Sequence, residues 1–131
     1  MTTHYLDLAD FLIIAEKVLG IEAKVLAKGV GVDLAESALC APSASFAGIE
    51  FYEEFPRKAA ILVKHLIKNH PLPDGNERTA YACFREFVSR NNYSWQTATS
   101  DDVVAIMVRV ASDDITTDEL AEWISAHLDP K

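Results

Sequence analysis

Apolar residues recur at helical spacing along most of the chain, and this pattern predicts six helices and a weaker seventh. The six predicted helices cover about residues 7–19, 33–40, 59–69, 79–88, 100–110 and 117–128. The weaker pattern covers residues 21–28 and stops at the glycine-rich turn Gly29-Val30-Gly31. The sequence therefore predicts an all-α fold.

Polar residues at the predicted helix ends support these boundaries. Asp7 is placed to cap the first helix, and Gly20 is placed to end it. Thr116 and Glu119 have the spacing of a capping box, in which each side chain bonds to the other residue's backbone N–H. The last helix is accordingly predicted to begin after Thr116 and to run through Leu128.

The segment of residues 41–52 breaks the helical pattern. Its small residues and the alternating Phe46, Ile49 and Phe51 predict a loop or a short hairpin. An ordinary connecting loop held by aromatic residues is the alternative that the sequence leaves open at this point.

The rest of the chain predicts one domain. Asn91-Asn92-Tyr93 predicts a turn, with Trp95 anchoring it to the core. The sequence contains neither repeats nor a linker long enough to divide it. Residues 1–131 are therefore expected to form one compact bundle of six or seven helices.

Composition and charge narrow the classes of partner. The formal net charge of −8 argues against direct binding to nucleic acid or to an anionic membrane. Apolar runs are too short for a membrane helix, and the first residues lack the pattern of a secretory signal, so a cytoplasmic location is expected. The two cysteines, Cys40 and Cys83, lie in apolar helical contexts and are predicted to be buried free thiols.

One stretch of nine residues combines several reactive side chains. Residues 70–78 read H-P-L-P-D-G-N-E-R and follow the predicted central helix of residues 59–69. Pro71 and Pro73 end that helix near Asn69 or His70, and another helix follows the stretch. The polar cluster thus lies in a loop before a helix N-terminus, where unpaired N–H groups and the helix dipole favour a bound phosphate.

At these residues the chain resembles the Fic/Doc family, and in particular its death-on-curing (Doc) branch. The family's loop is His-Pro-Phe-x-Asp-Gly-Asn-(Gly or Lys)-Arg, so Leu72 is a mild departure and Glu77 is a marked one. Members that transfer AMP often carry a second arginine three residues after the first, where this chain has Tyr81. The resemblance extends from about Leu6 to Leu128 and implies the Fic/Doc helical fold.

The resemblance implies a role for each polar residue of the loop. His70 would be the general base, a task suited to imidazole near neutral pH. Asp74 would bind Mg²⁺, although its position also suits an N-cap, and Asp74-x-x-Glu77 has capping-box spacing. The anion site for ATP would comprise the four residues Gly75, Asn76, Glu77 and Arg78.

The function implied by the resemblance is phosphate transfer from ATP to a serine or threonine hydroxyl of a protein. The expected target is elongation factor Tu, held against the site by a flap formed by residues 41–52. Two alternatives remain: AMP transfer, and a catalytically inactive binding module, which Glu77 supports because its charge opposes a bound phosphate.

A protein partner is also implied. Self-restraining Fic proteins carry a (Ser/Thr)-x-x-x-Glu-(Gly/Asn) motif, and no glutamate of this chain has serine or threonine four positions before it. Inhibition is therefore expected from a separate antitoxin whose C-terminal segment folds into a groove beside the flap.

Overall fold

Seven α-helices make up most of this computed structural model, which describes residues 2–96 and 99–131. The helices are α1 (Leu8–Leu19), α2 (Ala23–Leu26), α3 (Val32–Cys40), α4 (Phe55–Asn69), α5 (Asn76–Arg90), α6 (Ser100–Ala111) and α7 (Thr117–Ala126). A single 3₁₀ turn, Ala41–Ser43, follows α3. The predicted all-α bundle is confirmed, and the weak pattern of residues 21–28 corresponds to the one-turn helix α2.

Two small antiparallel strand pairs accompany the helices. The strands β1 (Ser45–Phe46) and β2 (Ile49–Glu50) form the hairpin predicted within residues 41–52. Its two turn residues, Ala47 and Gly48, both have positive φ, as the tight turns that suit hairpins require. The second pair joins β3 (Tyr93–Trp95) to β4 (Leu128–Pro130).

The helix α4 is the centre of the bundle. It packs against α3, α5, α6 and α7. Its buried residues are Lys58, Ala59, Ala60, Ile61, Leu62, Val63, Leu66 and Ile67. Because so many of its positions are buried, the sequence of α4 is a nearly continuous apolar run. None of the described helices is long and apolar enough to cross a membrane.

The predicted helix caps are present. Asp7 and Asp10 form a reciprocal capping box at the start of α1, and Gly20 ends that helix in the left-handed conformation with φ 73°. Thr116 and Glu119 form the capping box of α7. These bonds act within four residues of chain, and at α1 Arg90 of α5 also donates to both carboxylate oxygens of Asp10.

Three sequence predictions are wrong in detail. The last helix ends at Ala126 and not at Leu128, because the chain turns into β4 and pairs with β3. For the same reason Tyr93 belongs to a strand, and only the two asparagines before it form the turn. Cys40 is exposed at the end of α3, whereas Cys83 is buried as predicted.

Burial also governs the chemistry of the Cys83 thiol. Loss of solvent raises the pKa of Cys83 to about 12, and the negative charges of Asp10 and Glu86 act in the same direction. The thiol therefore stays protonated at neutral pH and is inert. Both cysteines are free, in agreement with the prediction.

A close contact joins the start of α3 to the loop after α4. A Cβ built on Gly31 would lie 1.7 Å from the carbonyl oxygen of Pro71. Only glycine therefore allows the two backbone segments to approach this closely. The predicted glycine-rich turn of residues 29–31 is thus a packing element behind the candidate functional loop.

Gly31→Ala is expected to lower the free energy of unfolding by about 1–3 kcal/mol, because one backbone segment must move to admit the methyl group. Gly29→Ala is the matched control, since a Cβ at that position meets only the Leu26 carbonyl oxygen, at 3.2 Å. Urea unfolding of both variants measures the difference. Equal stability of the two variants would contradict the close contact.

Candidate functional site

The candidate functional loop connects the C-terminus of α4 to the N-terminus of α5. His70 ends α4 in the left-handed conformation with φ 51° and ψ 55°, and its side chain is exposed. The helix stops after Asn69, as the following prolines predict. Left-handed backbone at a residue other than glycine costs about 1–2 kcal/mol, so surrounding contacts must hold His70 there.

The contacts that hold the loop come from Asn76 and Leu72. The Asn76 carboxamide oxygen accepts from the Leu72 backbone N–H, and its NH₂ group donates to the Leu72 carbonyl oxygen, both at 3.0 Å. Asn76 is 4% exposed and Leu72 is 5% exposed, so this pair of bonds is buried. The structure thus gives Asn76 a positioning role, and its predicted contact with phosphate stays a prediction.

Gly75 shapes the entrance to α5. It is the N-cap residue, with φ 72° and no side-chain cap bond. A Cβ built there would lie 2.6 Å from Leu19 Cδ2 and 3.2 Å from Arg78 Nη2, so these side chains would have to shift, and the positive φ disfavours residues other than glycine. The N-cap role suggested for Asp74 and the capping box of Asp74 with Glu77 are therefore wrong, because the helix begins one residue later than that pattern requires.

The start of α5 consequently keeps its backbone donors available. Thr79 N–H donates to the Gly75 carbonyl oxygen at 2.9 Å, so the first intrahelical bond begins there. The N–H groups of the three preceding helical residues, 76–78, have no partner within the helix. Together with the positive end of the helix dipole they form a site suited to an anion.

The charged side chains of the loop remain available for a ligand. His70, Asp74, Glu77 and Arg78 are all exposed. Within residues 2–96 and 99–131, none of their side chains forms a hydrogen bond or an ion pair. A basic ring, two carboxylates and a guanidinium thus surround the open helix terminus.

The residues present fit a magnesium ion bound together with phosphates. The described part of the chain holds no cluster of three or more His, Cys, Asp or Glu side chains able to bind a metal by themselves. Mg²⁺ needs only one or two protein carboxylates when phosphate oxygens and water complete its octahedron. Asp74, exposed and without a partner in the described residues, supplies that kind of ligand.

The hairpin of residues 45–50 is attached to the opposite part of α4. The buried Lys58 ammonium pairs with Glu50 at 3.0 Å and lies 5.6 Å from the centre of the Tyr5 ring. Burial acts to lower the pKa of Lys58, but the interactions with Tyr5 and Glu50 outweigh it, and the pKa is raised. Lys58 is twelve residues, or about 18 Å of helix, from His70. Phe46 and Ile49 on the hairpin are exposed.

A cleft of about 600 Å³ lies beside the first turns of α5 and was not foreseen from the sequence. Its walls come from α5 and α6 and comprise Glu77, Arg78, Tyr81, Arg85, Ser100, Val103, Val104, Met107 and Val108. Two of these residues also belong to the candidate loop. Apolar side chains spaced three and four apart on α6 are the signal that was available, but the same spacing is typical of a face packed against the core.

Comparison with known proteins identifies the family. A family model described as the Fic/DOC family matches residues 5–88. The chain belongs to the Fic/Doc family. It is 36% identical over 122 residues to a protein named Toxin Doc from Mycolicibacterium smegmatis, across 91% of this chain and 89% of that relative. No solved structure matched the chain.

These comparisons confirm the resemblance drawn from residues 70–78, including the Doc branch. The family match ends at residue 88, so it covers the hairpin, α4, the functional loop and most of α5. The helix α6, which forms one wall of the cleft, lies outside it. One wall of the cleft, on α5, therefore lies within the matched residues 5–88, and the other, on α6, lies after them.

Asn76→Ala is expected to lower the free energy of unfolding by about 2–4 kcal/mol, because it leaves a buried N–H and a buried carbonyl of Leu72 unpaired. Asn69→Ala is the matched control, since it removes one bond to the Leu34 carbonyl oxygen near the surface and is expected to cost less than about 1 kcal/mol. Urea unfolding provides the measurement. A similar loss in both variants would show that Asn76 does not hold the loop.

Proposed function

We propose that this Fic/Doc protein is a Doc-like toxin that transfers the γ-phosphate of ATP to a serine or threonine hydroxyl of a protein. The observation that carries the proposal is the loop geometry. An exposed histidine and an uncapped helix N-terminus lie within nine residues of chain, so a proton acceptor adjoins an anion site. This is the arrangement that transfer from a nucleotide to a hydroxyl requires.

Each side chain of the loop has a part in the proposed reaction. His70 accepts the proton of the target hydroxyl, which is a poor nucleophile until that proton is removed. The N–H groups of residues 76–78 and the planar guanidinium of Arg78 hold the phosphates. Asp74 would hold Mg²⁺, which neutralises phosphate charge when bound. Gly75 supplies the left-handed backbone, with φ 72°, from which α5 begins.

Tyr81 favours phosphate transfer over AMP transfer. It stands where AMP-transferring members of the family often have a second arginine. Its hydroxyl accepts a hydrogen bond from Trp95 Nε1 at 3.0 Å, so the side chain is held by the protein. Position 81 therefore offers no cation to a triphosphate, and we assign the nucleotide the orientation of the Doc branch.

We further propose elongation factor Tu, in the cytoplasm, as the target, on the strength of the Doc resemblance alone. The exposed hairpin residues Phe46, Ile49 and Phe51 provide an apolar surface for a protein segment. An antitoxin acting in trans would restrain the toxin, because no self-inhibitory motif is present in the chain. The net charge of −8 suits a partner of basic or mixed charge.

His70→Ala is expected to lower the rate of transfer by about 10²–10⁴, because the hydroxyl loses its proton acceptor. The measurement uses cell extract with ATP labelled at the γ-phosphate or at the α-phosphate. Label from the γ position alone marks phosphate transfer, and label from the α position marks AMP transfer. Mass spectrometry of the modified protein checks the assignment.

Two further variants control the histidine experiment. His70→Asn removes the base but retains a side chain that tolerates left-handed backbone, so it separates chemistry from backbone strain. His4→Ala removes an exposed ring whose residue bonds to Asn91 only through its backbone, and it should keep the parental rate. Parental activity in either His70 variant would exclude His70 as the base.

Glu77 opposes the proposed activity. As the second residue of α5 it gains about 0.3–1 kcal/mol from the helix dipole. A phosphate about 4 Å away would instead be repelled by about 1 kcal/mol in water and about 4 kcal/mol at the lower effective dielectric near a protein surface. The penalty on function exceeds the gain in helix stability. We therefore propose that Glu77 attenuates transfer while leaving the fold and partner binding intact.

Glu77→Lys is expected to increase ATP affinity and the rate of transfer by about tenfold or more, because it replaces a repulsion by an attraction. Glu122→Lys on α7 changes the net charge by the same amount at another exposed site and serves as the control. Calorimetric titration with ATP and growth after induction measure both effects. If the natural chain already matches the Glu77→Lys variant, the phosphate does not bind near position 77.

A further inference from the structure

Lys58 is the one charged residue that is buried in the described part of the chain, residues 2–96 and 99–131. It is the fourth residue of α4 and is 2% exposed. Removing an ammonium group from water is unfavourable unless a partner compensates for the lost hydration. A methionine would fill a similar space without that cost, so packing alone does not account for a lysine at this position.

The Lys58 ammonium contacts two segments that are distant from each other in sequence. It donates to a carboxylate oxygen of Glu50, the last residue of β2, at 3.0 Å. It also lies 5.6 Å from the centre of the Tyr5 ring. Tyr5 in turn stacks on Phe87 of α5, with 6.1 Å between the ring centres. Lys58 therefore connects the hairpin to α4 and, through Tyr5, to α5.

Little else in the described residues fixes the hairpin to the helices. Its apolar side chains contribute little packing, since Phe46 is 74% exposed and the adjoining Phe51 is 59% exposed. Its backbone bonds are local, as in the bond from the Phe51 N–H to the Ala44 carbonyl oxygen at 3.0 Å. Among the described residues, the bond from Lys58 is the one side-chain hydrogen bond that links the hairpin to another element.

The same helix carries Lys58 near its start and the candidate base just after its end. Four other helices pack against α4, so its two ends are fixed relative to each other. The raised pKa of Lys58 keeps the ammonium charged at neutral pH, and the ion pair with Glu50 is therefore present there. A contact at Lys58 thus sets the place of the hairpin relative to His70.

We propose that Lys58 is a positioning residue that holds the hairpin in place to bind a segment of the protein target, an inference that rests on the proposed function. A hairpin free to move occupies its binding position only part of the time, and the apparent affinity falls by that fraction. Lys58 acts through Glu50 and belongs to neither the phosphate site nor the base. Its loss should therefore weaken binding of the protein and leave ATP binding unchanged.

Three variants break the contact in different ways. Lys58→Met keeps an unbranched side chain in the buried space, and the 49%-exposed side chain of Glu50 is then solvated. Glu50→Ala breaks the contact from the hairpin, and the double variant removes both groups. Lys64→Met is the matched control, because it removes the same charge from α4 but Lys64 bonds to Thr117 of α7, at 3.4 Å.

Two measurements are made on each full chain, in the natural sequence and in the Glu77→Lys background. Amide order parameters of Phe46 and Ile49 from NMR relaxation report motion of the hairpin and require no activity. Initial rates with γ-labelled ATP and increasing elongation factor Tu give kcat and the KM for the protein. Calorimetric titration gives the Kd for ATP.

Each variant that breaks the contact is expected to lower the two order parameters from about 0.85 to below about 0.6. The KM for the protein should rise about tenfold, as for a hairpin in position about a tenth of the time, with kcat and the Kd for ATP unchanged. The double variant should show no larger change than either single variant, because all three act through one contact. Lys64→Met should match the parental chain.

Parental order parameters in both single variants would overturn the proposal, and so would single effects that multiply in the double variant. A mobile hairpin with an unchanged KM would overturn the role in target binding. If Lys58→Met fails to fold, Glu50→Ala decides the outcome, since Glu50 is at the surface. Absence of transfer by every chain, together with a hairpin that becomes mobile in the variants, would overturn the proposed function and leave Lys58 as the anchor of the hairpin.

Discussion

The burial of α4 is the constraint on which the rest of the structure depends. Four other helices pack against it, and Ala59 and Ala60 are fully buried, so neighbouring backbones approach it closely. Interiors packed in this way resist displacement, because even one added methylene group is felt. The C-terminus of α4 is therefore fixed relative to α3 and α5, and His70 inherits a defined position although its own side chain is exposed. A rigid scaffold that presents a reactive loop is the arrangement expected of an active site.

The loop itself stores backbone strain that the core compensates. His70 and Gly75 both have left-handed backbone within six residues. Glycine adopts that conformation at little steric cost, but histidine does not. Two contributions outweigh the free-energy cost of the left-handed backbone at His70. They are the burial of the Leu72 side chain and the two hydrogen bonds between the Leu72 backbone and the Asn76 carboxamide. His70, the candidate base, thus has a strained backbone that the buried bonds between Asn76 and Leu72 hold in place. Strained backbone of this kind is often found at ligand-binding sites, where geometry matters more than stability.

Much of this arrangement could be predicted from local sequence. Caps such as Asp7 with Asp10 act over three residues, so the starts of α1 and α7 were predicted correctly. The motif of residues 70–78 is likewise continuous, and prolines there end α4 where expected. Local rules failed where a distant segment decides the outcome. The pairing of β3 with β4 joins residues 33–37 positions apart, and each strand has only three residues, too few to show alternation.

The site was predicted less completely than the fold, because contacts with distant segments also shape it. The N-cap of α5 is Gly75 and not Asp74, and the Asn76 side chain bonds to the Leu72 backbone inside the loop, a contact that spacing rules do not contain. Cys40 is exposed because the chain leaves α3 there through a 3₁₀ turn and enters the exposed hairpin. One wall of the cleft comes from α6, which begins ten residues after α5 ends. The amphipathic pattern of α6 predicts a helix but does not indicate that it lines a cleft. The sequence therefore located the loop and the helix that follows it, but not the contacts that support the loop or the adjoining wall of the cleft.

The distance of each charge from the start of α5, compared with the screening length of the salt, decides how much that charge affects a bound phosphate. A net charge of −8 repels a nucleotide at long range, but salt at physiological strength screens exposed charges beyond about 8 Å. Acidic residues on the far side of the bundle therefore contribute little to binding at the start of α5. Near the start of α5 the helix dipole and Arg78 favour an anion, whereas the carboxylates of Asp74 and Glu77 oppose one. Because Glu77 has no partner in the described residues to neutralise it, its carboxylate at the second position of α5 is the charge through which we propose that phosphate binding is weakened.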